Sequence, residues 1–508
     1  MKKNILDYLT STVKSHPAKT AIIEGEKTIS FKNLDKKAKI LAKILISKRD
    51  IRNEPIAVFL PKTIDSVIAD IAITYSSNIY MNLDIKTPKE RIKNIVELVK
   101  PKFIITNTLY LKFISEIGKN DIIVNIDTIN FDASIENEYL IGRLEKSIDT
   151  DPLCIINTSG STGTPKGVVL NHKSFIDFTE WSLDTFNFSE DEIIGSLSPL
   201  VFDIYSFELC LLMAKGSTLV LIPDTLAAFP INILNILEQH KVTFLFWVPT
   251  IMVNIANMDL LTKVNLSHLK IVWFAGEVFP TKQFNYWKNN LTETLFANLY
   301  GPIEITLDCT YFIVDREMQD DEPLPIGIPC RNTDILILND YNSEVQGQEE
   351  GELCVRGTSL AMGYYNNPEK TQAAFVQNPL NSSYPEIIYK TGDIVAYNEL
   401  GEIVFKGRKD SLVKHLGYRI ELGEIEHVIV NKLKLAKNGC IIYNSAKKEI
   451  TLIYEAELEI PIVIFRKEIT TILPKYMVPT VYIRMDELPR NTNGKIDRLK
   501  LKNKINLL

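Results

Sequence analysis

The sequence predicts an α/β protein with more than one domain, and three observations support this prediction. The chain has 508 residues, which exceeds the size at which a single hydrophobic core keeps growing. Apolar residues make up 45% of the chain and charged residues 24%, as is typical of an ordered globular protein. From Lys27 to about Asp320, short β-rich runs alternate with helical patterns. This alternation predicts crossover units and two mainly parallel sheets that helices cover.

The individual elements follow in chain order. Strand-like runs in the first part are "IAVFL", "KFIIT", "DIIVNI", "STLVLI", "TFLFWV" and "LKIVWFAG", and helical patterns such as "NLDKKAKILAKILIS" separate them. Past Pro325 the pattern changes to closely spaced strands with turns, which predicts a small β-rich lobe over about 325–408. A charged break at Arg408 to Asp410 then precedes a strand-helix-strand-strand-helix pattern. We therefore predict an N-terminal domain over 1–408 and a small α+β C-terminal domain over 409–508.

Charge and composition exclude several classes of protein. The chain has 57 basic and 63 acidic residues, a net charge of −6, whereas a nucleic-acid-binding protein normally has a basic surplus. A local surplus exists over 461–508, where ten Lys or Arg residues stand against four Asp or Glu, or 10 − 4 = +6. This segment is either a solvated face or a surface for an acidic partner. We predict no contact with nucleic acid.

The N-terminal sequence and the cysteines indicate the cellular compartment. The polar start "MKKNILDYLTSTVKSHP" does not match a secretion signal, and no apolar run approaches the ~18 residues of a membrane-spanning helix. The six cysteines occur singly and form no CxxC pair, which favours reduced, mostly buried thiols over a zinc site or disulfides. We predict a cytoplasmic protein without a membrane segment.

A hydroxyl-rich loop, "NTSGSTGTPKG", lies between two apolar runs at Asn157 to Gly167. It is not a phosphate-binding P-loop of the GxxxxGK[ST] type, because Pro165 replaces the second glycine and Gly167 replaces the hydroxyl residue after Lys166. Its glycines still permit close backbone approach, its hydroxyls and amides can donate, and Lys166 supplies a positive charge. By itself the loop favours phosphate binding only modestly over a flexible turn.

The order of motifs along the chain resembles that of the adenylate-forming enzymes, which include acyl-CoA synthetases, luciferases and nonribosomal peptide synthetase adenylation domains. The resemblance covers essentially the whole chain. The motifs that carry it are "NTSGSTGTPKGVV", "FDIYSFEL", "NLYGPIEIT", "GELCVRG", "YKTGD", "GRKD", "GYRIELGEIE" and "NTNGKIDR".

The resemblance implies an ATP and Mg²⁺ site and assigns residues to it. The hydroxyl-rich loop would lie over the β and γ phosphates, through Thr158, Ser159, Gly160, Ser161, Thr162, Gly163 and Lys166. The adenine would stack on Tyr300, beside Gly301, and its amino group would bond to Asn298. Glu304 would hold Mg²⁺, and Asp393 with Arg408 would bind the ribose hydroxyls. Lys495 would bridge the substrate carboxylate and the α-phosphate, so that Lys495, Glu304 and Lys166 are the candidate catalytic residues.

Asp203 indicates which class of acid is activated. In family members that activate α-amino acids, the resemblance places an aspartate here that pairs with the substrate ammonium. A charged amine in a closed apolar pocket needs such a partner, because an unpaired buried charge costs several kcal/mol. The other interpretation of Asp203 is a helix N-cap before "IYSFELCLLMAKG". Asp203 therefore favours an amino acid.

The resemblance also assigns the remaining pocket positions. Six of these eight residues are large and apolar, and the full set is Ile204, Phe207, Phe246, Trp273, Ala275, Leu299, Leu307 and Asp308. A short cavity of this kind fits a small, mostly apolar substrate, and the pattern is most similar to prolyl adenylation enzymes. Asp308 is either a solvated edge residue or a contact for a second amine or hydroxyl. The next most similar enzymes are D-alanine:carrier-protein ligases of teichoic acid synthesis, which usually have cysteine where this chain has Ala275.

Two half-reactions in one pocket are implied by the resemblance. The amino acid is first adenylated, and the C-terminal domain then pivots about Asp410 so that a phosphopantetheine thiol can capture the acyl group. Thirteen residues follow Lys495 and no carrier attachment motif occurs, so we expect a separate carrier protein as partner. An acyl-CoA or aryl-acid ligase is disfavoured by Asp203, and a non-catalytic nucleotide-binding relative is disfavoured by the joint presence of Lys495, Glu304 and Asp393.

Overall fold

The computed structural model describes residues 2–118, 120–133, 138–158, 165–409, 412–445, 447–490 and 496–505. The chain forms two compact units. The first consists of Met1–Ile85, Val99–Ile156 and Gly167–Lys409, and the second of Lys86–Leu98, Asn157–Lys166 and Asp410–Leu508. The predicted hinge residue Asp410 lies outside the described residues, and the domain boundaries at 408 and 409 stay predictions.

The α-helices of the described residues are α1 Leu6–Ser15, α2 Phe31–Lys48, α3 Ile64–Tyr75, α4 Lys89–Val99, α5 Leu111–Ser115, α6 Glu138–Leu144, α7 His172–Phe186, α8 Asp203–Lys215, α9 Pro230–Gln239, α10 Pro249–Asn257, α11 Thr281–Asn290, α12 Pro368–Ala374, α13 Leu422–His427, α14 Ile462–Ile469 and α15 Arg498–Ile505. Short 3-10 turns span Asn120–Ile122, Ile126–Thr128, Asp224–Ala228, Leu261–Lys263, Ile303–Ile305 and Lys475–Met477, and a π-helical turn spans Val428–Lys432. No helix in this part of the chain has the length and apolar composition that crossing a membrane requires.

The strands are β1 Thr20–Glu24, β2 Lys27–Ser30, β3 Pro55–Val58, β4 Ile79–Asn82, β5 Phe103–Thr106, β6 Ile123–Asn125, β7 Pro152–Thr158, β8 Lys166–Asn171, β9 Ile193–Ser196, β10 Thr218–Leu221, β11 Phe244–Trp247, β12 Ile271–Phe274, β13 Leu295–Tyr300, β14 Thr310–Ile313, β15 Ile328–Pro329, β16 Thr333–Leu338, β17 Gly351–Gly357, β18 Gly363–Tyr364, β19 Phe375–Gln377, β20 Ile387–Tyr397, β21 Ile403–Arg408, β22 Leu412–His415, β23 Tyr418–Glu421, β24 Asn438–Asn444, β25 Glu449–Glu455 and β26 Val481–Met485.

Two large sheets dominate the first unit. One has nine strands in the order β15-β14-β13-β12-β11-β9-β10-β1-β2, in which the six central strands are parallel and the edge strands are antiparallel. The other has the order β18-β8-β7-β4-β3-β5-β6, with parallel pairing from β7 to β6. A five-stranded antiparallel sheet follows in β16, β17 and β19–β21. This architecture confirms the predicted fold class.

Helices α1, α2, α3, α7 and α8 supply the core that the two large sheets share. In α2, Leu34, Leu41 and Leu45 are buried at helical spacing, and the Oγ of Ser30 accepts a hydrogen bond from the backbone N–H of Asn33 at the start of the helix. Helix α3 starts with a reciprocal cap between Thr63 and Ser66. Because every residue of α3 except its first-turn Asp65 is buried, its position is set by packing on all sides.

The second unit has its own small core. Helices α13 and α14 pack with the strand pair β24 and β25, which extends to β26 in parallel. Ile425, Leu452 and Phe465 are fully buried at its centre. This unit is α+β, as the sequence predicted.

All six cysteines are buried and none forms a disulfide, namely Cys154, Cys210, Cys309, Cys330, Cys354 and Cys440. Burial raises the pKa of the thiols of Cys154, Cys210, Cys330, Cys354 and Cys440. These thiols are therefore protonated at neutral pH.

Candidate functional site

The candidate site lies in the turn that follows β13. After Tyr300 the chain passes through the 3-10 turn Ile303–Ile305 and then through Thr306 and Leu307, which have positive φ values of 52° and 66°. Glycine is required at position 301, because a Cβ there would lie 2.2 Å from the carbonyl oxygen of Leu307. Two successive non-glycine residues in the left-handed region cost about 1–2 kcal/mol each and indicate a constrained backbone.

Tyr300, Asp393 and Arg408 meet in one buried cluster. Asp393 and Arg408 are directly opposite each other on β20 and β21, and they form an ion pair. The hydroxyl of Tyr300 donates to the second carboxylate oxygen of Asp393. Burial, and then the negative charge of Asp393, raise the pKa of Tyr300 far above its usual range, so this phenol remains a donor. The structure thus brings together three residues to which the sequence assigned adenine and ribose binding.

Polar contacts hold the backbone around this cluster. Thr391 accepts a hydrogen bond from the N–H of Asp393 at 3.0 Å, and its own hydroxyl donates to the carbonyl of Leu353 at 2.7 Å. Asn298, at the end of β13, donates through Nδ2 to the carbonyl of Pro325 at 2.7 Å. This contact fixes the amide orientation, which leaves the carbonyl oxygen as the acceptor that an adenine amino group requires.

Glu304, the predicted Mg²⁺ ligand, lies on the 3-10 turn and is fully buried. Its carboxylate accepts a hydrogen bond from the hydroxyl of Tyr364 at 2.8 Å, and its carbonyl accepts from the N–H of Ala361 at 2.8 Å. The described residues contain no group of three His, Cys, Asp or Glu side chains that could form a protein-only metal site. Mg²⁺ is commonly held by one or two carboxylates together with substrate phosphates, so a single buried glutamate fits it.

The ends of the hydroxyl-rich loop are described, but its centre is not. Asn157 and Thr158 end β7, and the hydroxyl of Thr158 and both amide atoms of Asn157 are buried without a protein partner among the described residues. Buried polar groups normally have a partner, and the Thr158 hydroxyl and the Asn157 Nδ2 are donors of the kind that a phosphate oxygen accepts. Lys166 starts β8. The predicted ligands Ser159, Gly160, Ser161, Thr162 and Gly163 lie outside the described residues, as does Lys495.

Asp203 is the first residue of α8, and Phe202 occupies the N-cap position. Oδ1 of Asp203 accepts a hydrogen bond from the N–H of Ile204 at 3.0 Å, and Oδ2 accepts from the N–H of Leu307 at 3.1 Å. The left-handed turn at 306 and 307 brings that second donor to the helix. Backbone donors thus orient both carboxylate oxygens, and the helix N-terminus favours their negative charge.

Seven of the eight predicted substrate-pocket residues belong to the hydrophobic core that the two large sheets share, and the eighth, Asp308, is also buried. All eight neighbours assigned with Asp203 are less than 9% exposed: Ile204, Phe207, Phe246, Trp273, Ala275, Leu299, Leu307 and Asp308. Trp273 stacks on Phe207 with ring centroids 5.3 Å apart and meets Phe246 edge-on at 5.4 Å. These residues are therefore closely packed against one another, and the small size of the substrate stays a prediction from the sequence.

A buried polar network lies behind the start of α8. Asp70 on α3 accepts hydrogen bonds on Oδ2 from the hydroxyl of Tyr205 at 2.9 Å and from the amide of Asn82 at 3.0 Å. Tyr80 on β4 donates to the hydroxyl of Ser206 at 2.9 Å. We name these residues the α8 network: Asp70, Asn82, Tyr80, Tyr205 and Ser206.

One turn further along α8, Glu208 is fully buried and accepts a hydrogen bond from the hydroxyl of Ser196 at 2.6 Å. Burial raises the pKa of Glu208 to about 8, although that hydrogen bond and the charge of Lys62 lower it in part. The folded protein therefore keeps this carboxyl protonated at pH values at which the unfolded chain has released its proton.

We expect Glu208→Gln to change how stability depends on pH. With a folded pKa of about 8 and an unfolded pKa near 4.5, Glu208 makes wild-type stability decline as pH rises from about 4 to about 8. A glutamine does not titrate, so the melting temperature of Glu208→Gln relative to wild type should become more favourable between pH 5.5 and pH 8.5. Thermal unfolding at both values checks this, and a pH-independent difference between the two proteins would contradict it.

Several residues of the site were not found from the sequence. Tyr364, Tyr80 and Tyr205 are separated from their hydrogen-bond partners by 60, 126 and 135 positions along the chain. Tyrosine, serine and asparagine in strands and helices have no local pattern that distinguishes such contacts from ordinary packing. The only available signal is polar residues inside elements that are otherwise apolar, as Asp70 is in "IDSVIADIAITY".

Known proteins resemble this chain over nearly its whole length. The family model described as AMP-binding enzyme matches residues 9–365. Zwittermicin A synthase ZmaJ of Bacillus cereus is 30% identical over 489 residues, which cover 95% of this chain and 91% of that protein. Tyrocidine synthase 1 of Brevibacillus parabrevis is 30% identical over 98% of this chain, but this chain spans only 45% of that protein.

Solved structures show the same fold. The Vibrio cholerae adenylation domain AlmE, in complex with glycyl-adenosine-5'-phosphate, matches all of this chain and 98% of its own with a TM-score of 0.86 and 20% identity. Holo-PA1221, a nonribosomal peptide synthetase protein with adenylation and PCP domains, matches 99% of this chain and 84% of its own with a TM-score of 0.83 and 20% identity.

Proposed function

Because this chain belongs to the AMP-binding enzyme family of adenylate-forming ligases, we propose that it activates a small α-amino acid with ATP. The observation that carries this proposal is the carboxylate of Asp203. Two backbone N–H groups orient it at the start of α8, beside pocket residues that are almost completely buried. A fixed negative charge in such surroundings is suited to an ammonium group and poorly suited to a plain fatty or aryl acid.

The proposed first half-reaction joins the amino acid carboxylate to the α-phosphorus of ATP and releases pyrophosphate. ATP supplies the electrophilic phosphorus and the leaving group. Asp203 holds the ammonium, Lys495 bridges the carboxylate and the α-phosphate, and Lys166 and the hydroxyl-rich loop hold the β and γ phosphates. Tyr300, Asn298 and the pair of Asp393 and Arg408 hold the adenosine, and Glu304 holds Mg²⁺.

The proposed second half-reaction transfers the acyl group to the phosphopantetheine thiol of a separate carrier protein. The thiol sulfur attacks the acyl carbon, the bond from that carbon to the phosphate oxygen breaks, and AMP leaves. In this proposal the C-terminal domain rotates about Asp410 between the first and the second half-reaction. The relatives named as synthases of zwittermicin A and tyrocidine, and a structural neighbour that combines adenylation and PCP domains, support a role in nonribosomal synthesis.

L-Proline is the amino acid that we propose. Six of the eight pocket residues are large and apolar, and burying three ring methylenes contributes ~2.4 kcal/mol at ~0.8 kcal/mol each. One methylene changes selectivity by only ~10- to 200-fold, so close neighbours of proline in size should show weak activity. D-Alanine is the alternative, as the substrate of a D-alanine:carrier-protein ligase.

Amino-acid-dependent exchange of labelled pyrophosphate into ATP tests this proposal. The panel contains L-proline, D-alanine, L-alanine, glycine and ornithine, with a fatty acid and an aryl acid as other acyl classes. We expect the highest exchange with L-proline. Exchange with D-alanine alone would select the ligase alternative, exchange only with the fatty or aryl acid would overturn amino acid activation, and no exchange at all would indicate a non-catalytic relative.

The same reaction mixture tests the second half-reaction. Labelled amino acid should appear on an added carrier protein that has its phosphopantetheine arm and should not appear on the same carrier without the arm. If the protein exchanged pyrophosphate efficiently but loaded no carrier that bears the arm, the proposed transfer to a carrier would be overturned and the adenylation would stand.

A further inference from the structure

Helix α8 is surrounded by other residues along most of its length. Every residue from Ile204 to Met213 is buried. Close packing confines such a helix, but apolar contacts have little directional preference. Hydrogen bonds depend steeply on distance and angle, and they can fix its position.

The α8 network supplies two such hydrogen bonds within the first four residues of the helix. Tyr205 donates to Asp70 on α3 at 2.9 Å, and Ser206 accepts from Tyr80 on β4 at 2.9 Å. Asn82 holds the same oxygen of Asp70 at 3.0 Å, so that the carboxyl is itself fixed between two elements. Asp203 precedes Tyr205 by two residues, and any movement of this first turn would displace its carboxylate.

We propose that Asp70 and Tyr205 are positioning residues for the amino acid site: their hydrogen bond sets the position of the first turn of α8 and thereby aims the carboxylate of Asp203 at the substrate ammonium. This inference rests on the proposed function. Neither residue touches the reacting atoms.

The electrostatic surroundings agree with this assignment. Burial raises the pKa of the Cys154 thiol, a hydrogen bond with Tyr80 lowers it, and the charges of Asp203 and Asp70 both raise it. Both carboxylates therefore lie close enough to influence one buried group. Burial raises the pKa of Asp70 to about 7, against the opposing hydrogen bonds of Asn82 and Tyr205. A neutral amide at position 70 therefore resembles the protonated form of this residue and retains an oxygen for Tyr205.

Three variants separate the hydrogen bond from the charge. Tyr205→Phe removes the hydroxyl and keeps the ring, Asp70→Ala removes the acceptor, and Asp70→Asn keeps an acceptor without the charge. We expect Tyr205→Phe and Asp70→Ala to raise the KM for the amino acid about fivefold or more, the effect of losing one buried hydrogen bond. The KM for ATP and kcat should stay within about twofold of wild type, and Asp70→Asn should restore the amino acid KM.

Helix α3, which carries Asp70, also offers a matched control. Tyr75 of α3 is buried and donates through its hydroxyl to the buried carboxylate of Asp35 at 2.5 Å, but this contact joins α3 to α2. Tyr75→Phe should lower the melting temperature to a similar extent as Tyr205→Phe while the amino acid KM stays unchanged. An equal rise in KM in both variants would assign a general structural role to the hydrogen bond and overturn the proposal.

Failure of the positioning role can be distinguished from failure of the proposed function. If the wild-type protein shows no amino-acid-dependent exchange, the proposed function fails before any variant is compared. If wild type exchanges and Tyr205→Phe retains the wild-type amino acid KM, only the positioning role fails. A KM that rises in Asp70→Asn as much as in Asp70→Ala would also overturn it, because the retained acceptor would then have no effect.

Discussion

Replacing Lys495 with alanine is expected to lower the rate of adenylate formation about a thousandfold while ATP still binds. A positive charge ~4 Å from a developing oxyanion contributes ~4 kcal/mol at an effective dielectric constant of about 20, which corresponds to about three orders of magnitude in rate. Pyrophosphate exchange measures the rate, and calorimetric titration measures ATP binding. Lys495 lies outside the described residues, so its assignment depends on the motif "NTNGKIDR".

Lys502 provides the control for this variant. It is an exposed lysine on α15 in the same basic segment, and Lys502→Ala makes the same change in net charge. Exchange should be unchanged in Lys502→Ala. If Lys495→Ala kept full exchange, or lost ATP binding and folding together, the role assigned to Lys495 would be wrong.

The second large effect is expected from Asp203→Ala, which should lower use of the amino acid at least about a hundredfold. Removing one partner of a buried ion pair costs about 3–5 kcal/mol, or roughly a hundredfold to several thousandfold in kcat/KM. The same variant should lose its preference for the amino acid over the matching acid without an amine, such as cyclopentanecarboxylic acid in place of proline. Exchange with both compounds, in variant and wild type, measures that preference.

A control for Asp203 must also be an aspartate in the first turn of a helix. Asp7 meets this requirement, since it lies in α1 and accepts a hydrogen bond from the N–H of Lys3 at 2.8 Å, but it is exposed. Asp7→Ala should leave exchange unchanged. If Asp203→Ala preferred the amino acid over the matching acid without an amine as strongly as wild type does, the proposed recognition of the ammonium would be overturned.

The sequence predicted the fold class because hydrophobic periodicity and turn residues are local signals. The alternation of strands and helices to about position 320, and the change to antiparallel strands after it, both appear in the structure. The resemblance assigned Tyr300, Asp393 and Arg408 to adenosine binding, and the structure places the three in contact, with the register of β20 and β21 bringing the last two together. Their roles toward ATP stay proposals.

Other parts of the site depend on contacts between distant segments. The hydrogen bond from Tyr205 to Asp70 joins residues 135 positions apart, and that from Tyr364 to Glu304 joins residues 60 apart. Helix α8 has no amphipathic pattern because it is buried on all sides, so periodicity could not indicate which face meets α3. The left-handed conformation of Thr306 and Leu307 was equally unpredictable, since neither residue type favours it.

The buried cysteines determine how the proposed transfer step can be followed. Alkylating reagents react with exposed thiolates, and every cysteine of this chain is buried. A maleimide fluorophore added to the native enzyme together with an unloaded carrier, whose pantetheine thiol is free, should therefore label the pantetheine arm in preference to the enzyme. Native-state labelling kinetics could then report thioester formation directly, as protection of the arm, without any need to substitute the enzyme's own cysteines.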